Sequence, residues 1–200
     1  MRLLSSLLFL LVLISGCSLR PEIKPPITRY YLQPEIVPAC MPEKSSKLLQ
    51  LSFVDAIPSL MGKNIIYKKS DFKTGSYLYS KWDQSPRHGI MSSLYAALKE
   101  QQHYSEVVYN TPIESDLTLE IKVMQFEQSF AQNADSYAIV SIDALLYENQ
   151  SRKLLGSRSF ASKIKAETND AQGGVKAINK ALGKALSELV CWSAQKGGME

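Results

Sequence analysis

Cysteine is the residue type here whose placement most clearly points to chemistry. The chain has 200 residues and three cysteines, Cys17, Cys40 and Cys191. Cys17 closes the run Ile14-Ser15-Gly16-Cys17: aliphatic, small, small, cysteine. Before it, Arg2 leads an apolar stretch over 3–14 broken only by Ser5 and Ser6. That stretch has the length of a signal-peptide hydrophobic region and is too short to span a bilayer comfortably. The pattern looks like a lipobox. Small residues let a signal peptidase grip extended backbone, and the thiol takes a diacylglyceryl group. Two or three acyl chains of the palmitate class on one residue give firm anchoring, where a single chain binds only marginally. Ser18 stands where an aspartate would resemble an inner-membrane retention signal. Serine implies sorting to the outer membrane, facing the periplasm.

With Cys17 acylated, Cys40 and Cys191 remain as a pair in an oxidising compartment. A bridge between them would pin an N-terminal extended segment to the last helix and stabilise by roughly 4–5 kcal/mol in the chain-entropy model. Two separate thiols, one of them buried, is the alternative. Other chemistry is poorly represented. His88 and His103 lie near opposite ends of one predicted helix, and both are expected on the surface. They do not cluster with cysteines or carboxylates as a metal site requires. Ser92 and Ser93 sit mid-helix without a nucleophile elbow. Gly173-Gly174 lacks the lysine and Ser/Thr of a phosphate loop and reads as a helix-start turn. Glu114 and Asp116 flank a strand start, where paired acids are usually solvated. No base, nucleophile and oxyanion donor assemble, so neither an enzyme nor a cofactor is expected.

The elements that position these residues follow from periodicity. Residues 18–26 carry Pro21, Pro25 and Pro26 and form an extended tether. A short strand is expected over 28–32, a proline-rich loop with Cys40 over 34–46, and an interior strand over 48–54. Brief strands over 64–67 and 77–79 make a hairpin with a polar Gly75 turn. Ser85 is a natural N-cap with Pro86 at the first helical position, and Ile90, Leu94 and Leu98 give 86–102 an apolar stripe. A strand follows over 106–109. Leu117, Leu119, Ile121 and Val123 alternate with polar residues, as do Ala138, Val140, Ile142, Ala144 and Leu146. With 154–164 these strands form an antiparallel meander, and 128–135 is read as a polar turn. Asp170 or Gly173-Gly174 opens a last helix, in which Val175, Ile178, Leu182, Ala185, Leu189 and Trp192 step by three and four. The fold class is α+β: two layers, with two main helices on one face of a mixed, mostly antiparallel sheet. The segments are a signal peptide (1–16), an acylated tether (17–27), one domain (28–194) and a tail (195–200).

Composition is globular, at 45% hydrophobic and 21% charged, with a net charge of +4. That excess is too diffuse for nucleic acid. Lys63, Lys68, Lys69, Lys73 and Lys81 form either a solvated face or a patch for anionic lipid or an acidic partner. Tyr67, Tyr77, Tyr79 and Trp82 are interleaved with those lysines. They either pack around the hairpin or make an exposed partner interface, since tyrosine and tryptophan bring large contact area at low entropy cost.

The lipobox is followed by Thr28-Arg29-Tyr30-Tyr31-Leu32 and then Leu49-Gln50-Leu51-Ser52-Phe53-Val54. Next come Ile66-Tyr67, Tyr79-Ser80-Lys81-Trp82 with Pro86, Asp116-Leu117-Thr118-Leu119 leading to Phe126, and a terminal helix ending at Trp192. In this order the residues resemble the ABC-type transport auxiliary lipoproteins, the paraquat-inducible protein C-like group, over most of the mature chain. Lys81 and Asp83 depart from the commoner Arg-Trp-Ala around the tryptophan. The resemblance implies a non-enzymatic outer-membrane lipoprotein. Its partners would be an MCE-domain periplasmic protein and inner-membrane ABC transporter subunits, moving phospholipid or other hydrophobic solutes between membranes. It also implies assembly as a homo-oligomeric ring. The rival readings are a structural or assembly lipoprotein, serving envelope integrity or lipopolysaccharide insertion, and, more remotely, a periplasmic hydrolase.

Overall fold

The computed structural model describes residues 24–41, 43–54, 57–132 and 135–198. The expected signal peptide and Cys17 lie outside the described residues. The strands are β1 (Thr28–Tyr30), β2 (Leu48–Val54), β3 (Asn64–Lys69), β4 (Thr74–Trp82), β5 (Glu106–Tyr109), β6 (Leu117–Phe130), β7 (Ser136–Glu148) and β8 (Leu154–Lys165). The helices are α1 (Pro86–Gln101) and α2 (Ala171–Gly197). The strands join in one 8-stranded mixed sheet, giving an α+β fold.

Strand β6 organises the sheet. One of its edges carries β7 along its whole length. The other edge is shared: β2 pairs in parallel with its first half, from Leu117 to Lys122, and β3 with its end, from Gln128 to Phe130. The sheet therefore forks into a β2–β5 branch and a β3–β4–β1 branch. The long ladders β6–β7 and β7–β8 are antiparallel, forming the expected meander. The shorter β1–β4, β2–β5, β2–β6 and β3–β6 ladders are parallel, so each needs a longer connection.

Alternation sets the core. Leu117, Leu119, Ile121 and Val123 are buried on one face of β6, opposite Ala144, Ile142 and other inward residues of β7. Ile178, Leu182, Leu186 and Leu189 of α2 and Ile90, Leu94 and Leu98 of α1 close over that face in a single cluster. Each fully buried aliphatic side chain contributes roughly 1.5–3 kcal/mol. The opposite face keeps Lys122, Leu145, Ser157 and Ser159 exposed. Both helix starts follow local chemistry. The Ser85 hydroxyl accepts from the His88 N–H at 3.4 Å, and the Asp170 carboxylate accepts from the Gly173 N–H at 2.8 Å.

Three expectations change. β6 runs on to Phe130, because a bulge between Val123 and Gln125 slips the alternation and re-aims Phe126 and Gln128 inward. Gln128, expected in a turn, is fully buried. Gly75 lies within β4 opposite Tyr67 and is not the hairpin turn. A Cβ at this position would meet the Tyr67 ring at 2.5 Å, so the glycine makes room for the aromatic. Residues 195–197, expected in the tail, form the last turn of α2.

Candidate functional site

Residues 31–41 are an extended strap laid along α2. Four α2 residues spaced by four hold it. The Asn179 Oδ1 accepts from the Gln33 N–H at 2.7 Å while its Nδ2 donates to the Val175 carbonyl at 3.1 Å. At Gly183 the strap comes so close that a Cβ would sit 2.2 Å from the Glu35 carbonyl oxygen. The Ser187 hydroxyl accepts from the Val37 N–H at 2.9 Å and donates to the Gly183 carbonyl at 2.7 Å. Cys191 is disulfide-bonded to Cys40, with the Cα atoms 5.7 Å apart. The i, i+4 spacing puts all four residues on one helix face. A glycine inside a helix costs about 1 kcal/mol relative to alanine, and here it admits the strap backbone. The strap passes between the helices as well, since Leu32 lies against Gly89 of α1.

Grooves border the strap. One of about 600 Å³ is lined by Arg29, Tyr31, Gln33, Glu167, Lys176 and Lys180. Another, about 710 Å³, lies toward α1 and is lined by Leu32, Ile36, Pro38, Ala96 and Glu100. In the first, Lys176 and Lys180 bracket Glu167, and chiefly the Lys180 hydrogen bond holds that carboxyl below its ordinary value.

The four aromatic residues singled out by sequence separate. Trp82 is 2% exposed, packs 6.0 Å from the Phe126 ring and belongs to the core. The Tyr67 and Tyr77 rings meet at a tilt with centroids 5.1 Å apart, and Tyr67 also meets Phe130 edge-on. The Tyr77 hydroxyl donates to the Gln128 Oε1 at 2.7 Å, and the Gln128 Nε2 donates to the Ser136 hydroxyl at 2.8 Å. Burial, with the nearby Asp170 charge, pushes Tyr77 up to about 12. A Cβ on Gly174 would strike Gln128 at 2.0 Å, so this glycine lets α2 start against the polar cluster. Gly173 serves the close approach of Thr168 in the same way. Tyr79 is the most exposed of the four at 36%, beside Leu78 at 70%.

The remaining candidates do not converge. His88 is exposed, with its Nε2 3.4 Å from the Ser92 hydroxyl. His103, expected at the surface, is buried under the end of α2. Its Nδ1 donates to the Glu43 carbonyl, its ring meets Tyr104 edge-on, and its Nε2 has no partner. Burial draws the imidazole below its ordinary value. Asp116 accepts from the Leu48 N–H at 2.6 Å and ties β2 to β6. Among the described residues, no cluster of histidine, cysteine and carboxylates is placed to hold a metal, and no helix is long and apolar enough to cross a membrane. The strap-holding stripe of Asn179, Gly183 and Ser187 was not singled out by periodicity. Its signal was there: small and polar residues at every fourth position leading to Cys191.

The architecture has solved counterparts. The crystal structure of protein XCC0632 from Xanthomonas campestris, of family DUF330, superposes with a TM-score of 0.77 at 22% identity. The match covers 85% of this chain and 96% of that one. A second, uncharacterised protein superposes with a TM-score of 0.64 at 19% identity, covering 87% and 100%. At these identities the likeness is one of fold. No curated protein matches by sequence. A family model described as the ABC-type transport auxiliary lipoprotein component matches residues 30–190, from β1 to the last turns of α2. With most of the chain matched, strap and both helices included, this protein belongs to the ABC-type transport auxiliary lipoprotein family.

Proposed function

We propose that the protein is a lipid-anchored docking component of an ABC/MCE-type intermembrane transport system. It is held at Cys17 in the outer membrane and faces the periplasm. It acts by binding, without covalent catalysis. The observation that carries this reading is the fastening of the strap. The chain that would lead from the anchor enters the fold as β1, is hydrogen-bonded to Asn179 and Ser187, and ends in the Cys40–Cys191 disulfide. Such a strap transmits the position of an anchor to a rigid body, as a docking part requires. Family membership adds an ABC transporter as the system it serves. An MCE-domain protein would then be the partner reached across the periplasm, and phospholipid or another hydrophobic solute the cargo.

The test is a pull-down of tagged protein from detergent-solubilised envelopes, read by mass spectrometry. Recovery of an MCE-domain protein together with ABC subunits is expected. Recovery of outer-membrane assembly proteins in their place would favour the structural or assembly reading and withdraw lipid transport.

A further inference from the structure

The β3–β4 hairpin ends in Ser70-Asp71-Phe72-Lys73. Phe72 is wholly exposed, at 103%, and adopts φ 64. A bulky aromatic in the left-handed region is an outlier, and here no packing in the fold compensates. Lys68, Lys69 and Lys73 flank it in the hairpin sequence. Lys68 pairs with Glu127 at 2.8 Å, Lys73 pairs with Asp71 at 2.6 Å, and the Lys69 Nζ lies 6.0 Å from the Tyr67 ring centroid. An exposed aromatic with lysines close by in the same hairpin suits the boundary between anionic headgroups and acyl chains.

The direction of the chain says which surface this is. β1 runs parallel to β4, with Thr28 opposite Ser80 and Tyr30 opposite Trp82. Followed backwards from Thr28, the strand direction leads along β4 toward the hairpin tip. The stretch of β4 from Ser80 back to Thr74 measures about 20 Å at strand rise, and Phe72 lies in the turn just beyond it. The chain from Thr28 back to Cys17 can extend to at most about 38 Å. An acyl anchor on Cys17 and the Phe72 ring therefore fit on one bilayer surface. We propose that the hairpin tip is a second membrane contact. Phe72 inserts into the interface of the bilayer that holds Cys17, and the neighbouring lysines meet anionic headgroups. This rests on the reading of Cys17 as the lipid anchor. One flexible tether fixes only distance, whereas two contacts fix the domain's tilt and the face it presents to a partner.

The test uses the full acylated chain carrying Phe72→Trp. It is reconstituted in vesicles of phosphatidylethanolamine and phosphatidylglycerol, with and without brominated acyl chains. Trp82 and Trp192 are buried, at 2% and 5% exposure, and supply a constant background. Flotation comes first: protein that fails to float with vesicles overturns the anchor and, with it, the proposal. For protein that floats, the introduced indole is expected to emit at shorter wavelength than in buffer and to lose emission to brominated chains. Emission unchanged from buffer and unquenched in floated protein overturns tip insertion while leaving the anchor intact. It would assign Phe72 to a protein partner.

Discussion

The strap and the β3–β4 hairpin are built in opposite ways. The strap has little regular structure, yet nearly every second residue is tied to α2 through Asn179, Gly183, Ser187 or Cys191. The hairpin is regular β structure paired to β6 through Tyr67–Lys69, yet its tip is bare at Phe72, and Leu78 of β4 is exposed. Regular backbone pairing and fastening by side chains are therefore separate ways of holding a segment here. The strap is fixed by side chains and a covalent bond, whereas the hairpin is fixed by pairing of its β3 strand with β6 and at its root. There Trp82 is buried, its N–H donates to the Lys63 carbonyl at 2.8 Å, and Asp83 donates to the Tyr30 carbonyl at 2.7 Å.

That contrast can be broken at either end. The largest effect is expected at the hairpin root: Trp82→Ala should destabilise by about 3–5 kcal/mol, because it empties a core site against Phe126. Chemical denaturation checks this, and a loss below 1 kcal/mol would mean that Trp82 is not the core residue described. Next comes the strap. Replacing Cys40 and Cys191 together by serine should cost about 2–5 kcal/mol. Wild type under reducing conditions should unfold at the midpoint of that variant. Equal midpoints with and without reductant would show that the bridge does not constrain the fold.

Gly183→Ala sharpens the same point without touching the disulfide. Helix propensity alone predicts a gain of about 1 kcal/mol. The Glu35 carbonyl in the way predicts a net loss of about 1–3 kcal/mol. The sign of the change in thermal midpoint decides whether the strap lies as closely on α2 as described.

A smaller effect concerns His103. Burial depresses its folded value below the ordinary 6.5, so protonation is resisted by the native state. Its stabilising contribution is present in full above pH 6.5 and is lost as pH falls through the depressed value. The lowered carboxyls of Glu106 and Glu167 add their own loss only below their ordinary 4.5. Between those limits wild type should lose stability with falling pH, and His103→Gln should flatten the slope. Parallel slopes would contradict the burial of this imidazole. At the bare tip, Phe72→Ser should change stability by less than about 0.5 kcal/mol, since nothing in the fold covers the ring.

Much of the fold was legible in sequence where one physical signal dominated. The strict alternation from Leu117 to Val123, the Ser85-Pro86 start of α1 and the stripe from Val175 to Trp192 all appear where periodicity and capping put them. The departures arise where tertiary contacts override local pattern. The bulge after Val123 hides the second half of β6 by breaking its alternation. Gly75 mimics a turn residue because Tyr67 needs its missing side chain. His103 is polar and still buried, since α2 ends over it and a backbone carbonyl satisfies one nitrogen. Of the candidate site, Cys40 and Cys191 could be named as a pair from compartment and parity. The role of the residues between them could not. Asn179, Gly183 and Ser187 matter only to a backbone that arrives from a distant part of the chain.

The proposed lipid anchor at Cys17 would lead into the covalently closed strap. Intact-mass spectrometry of unreduced protein extracted from membranes tests both parts together. The account predicts a chain beginning at Cys17 that carries diacylglyceryl-type mass, with Cys40 and Cys191 resistant to alkylation until reduced. An unacylated chain, or two cysteines that alkylate without reductant, would contradict it.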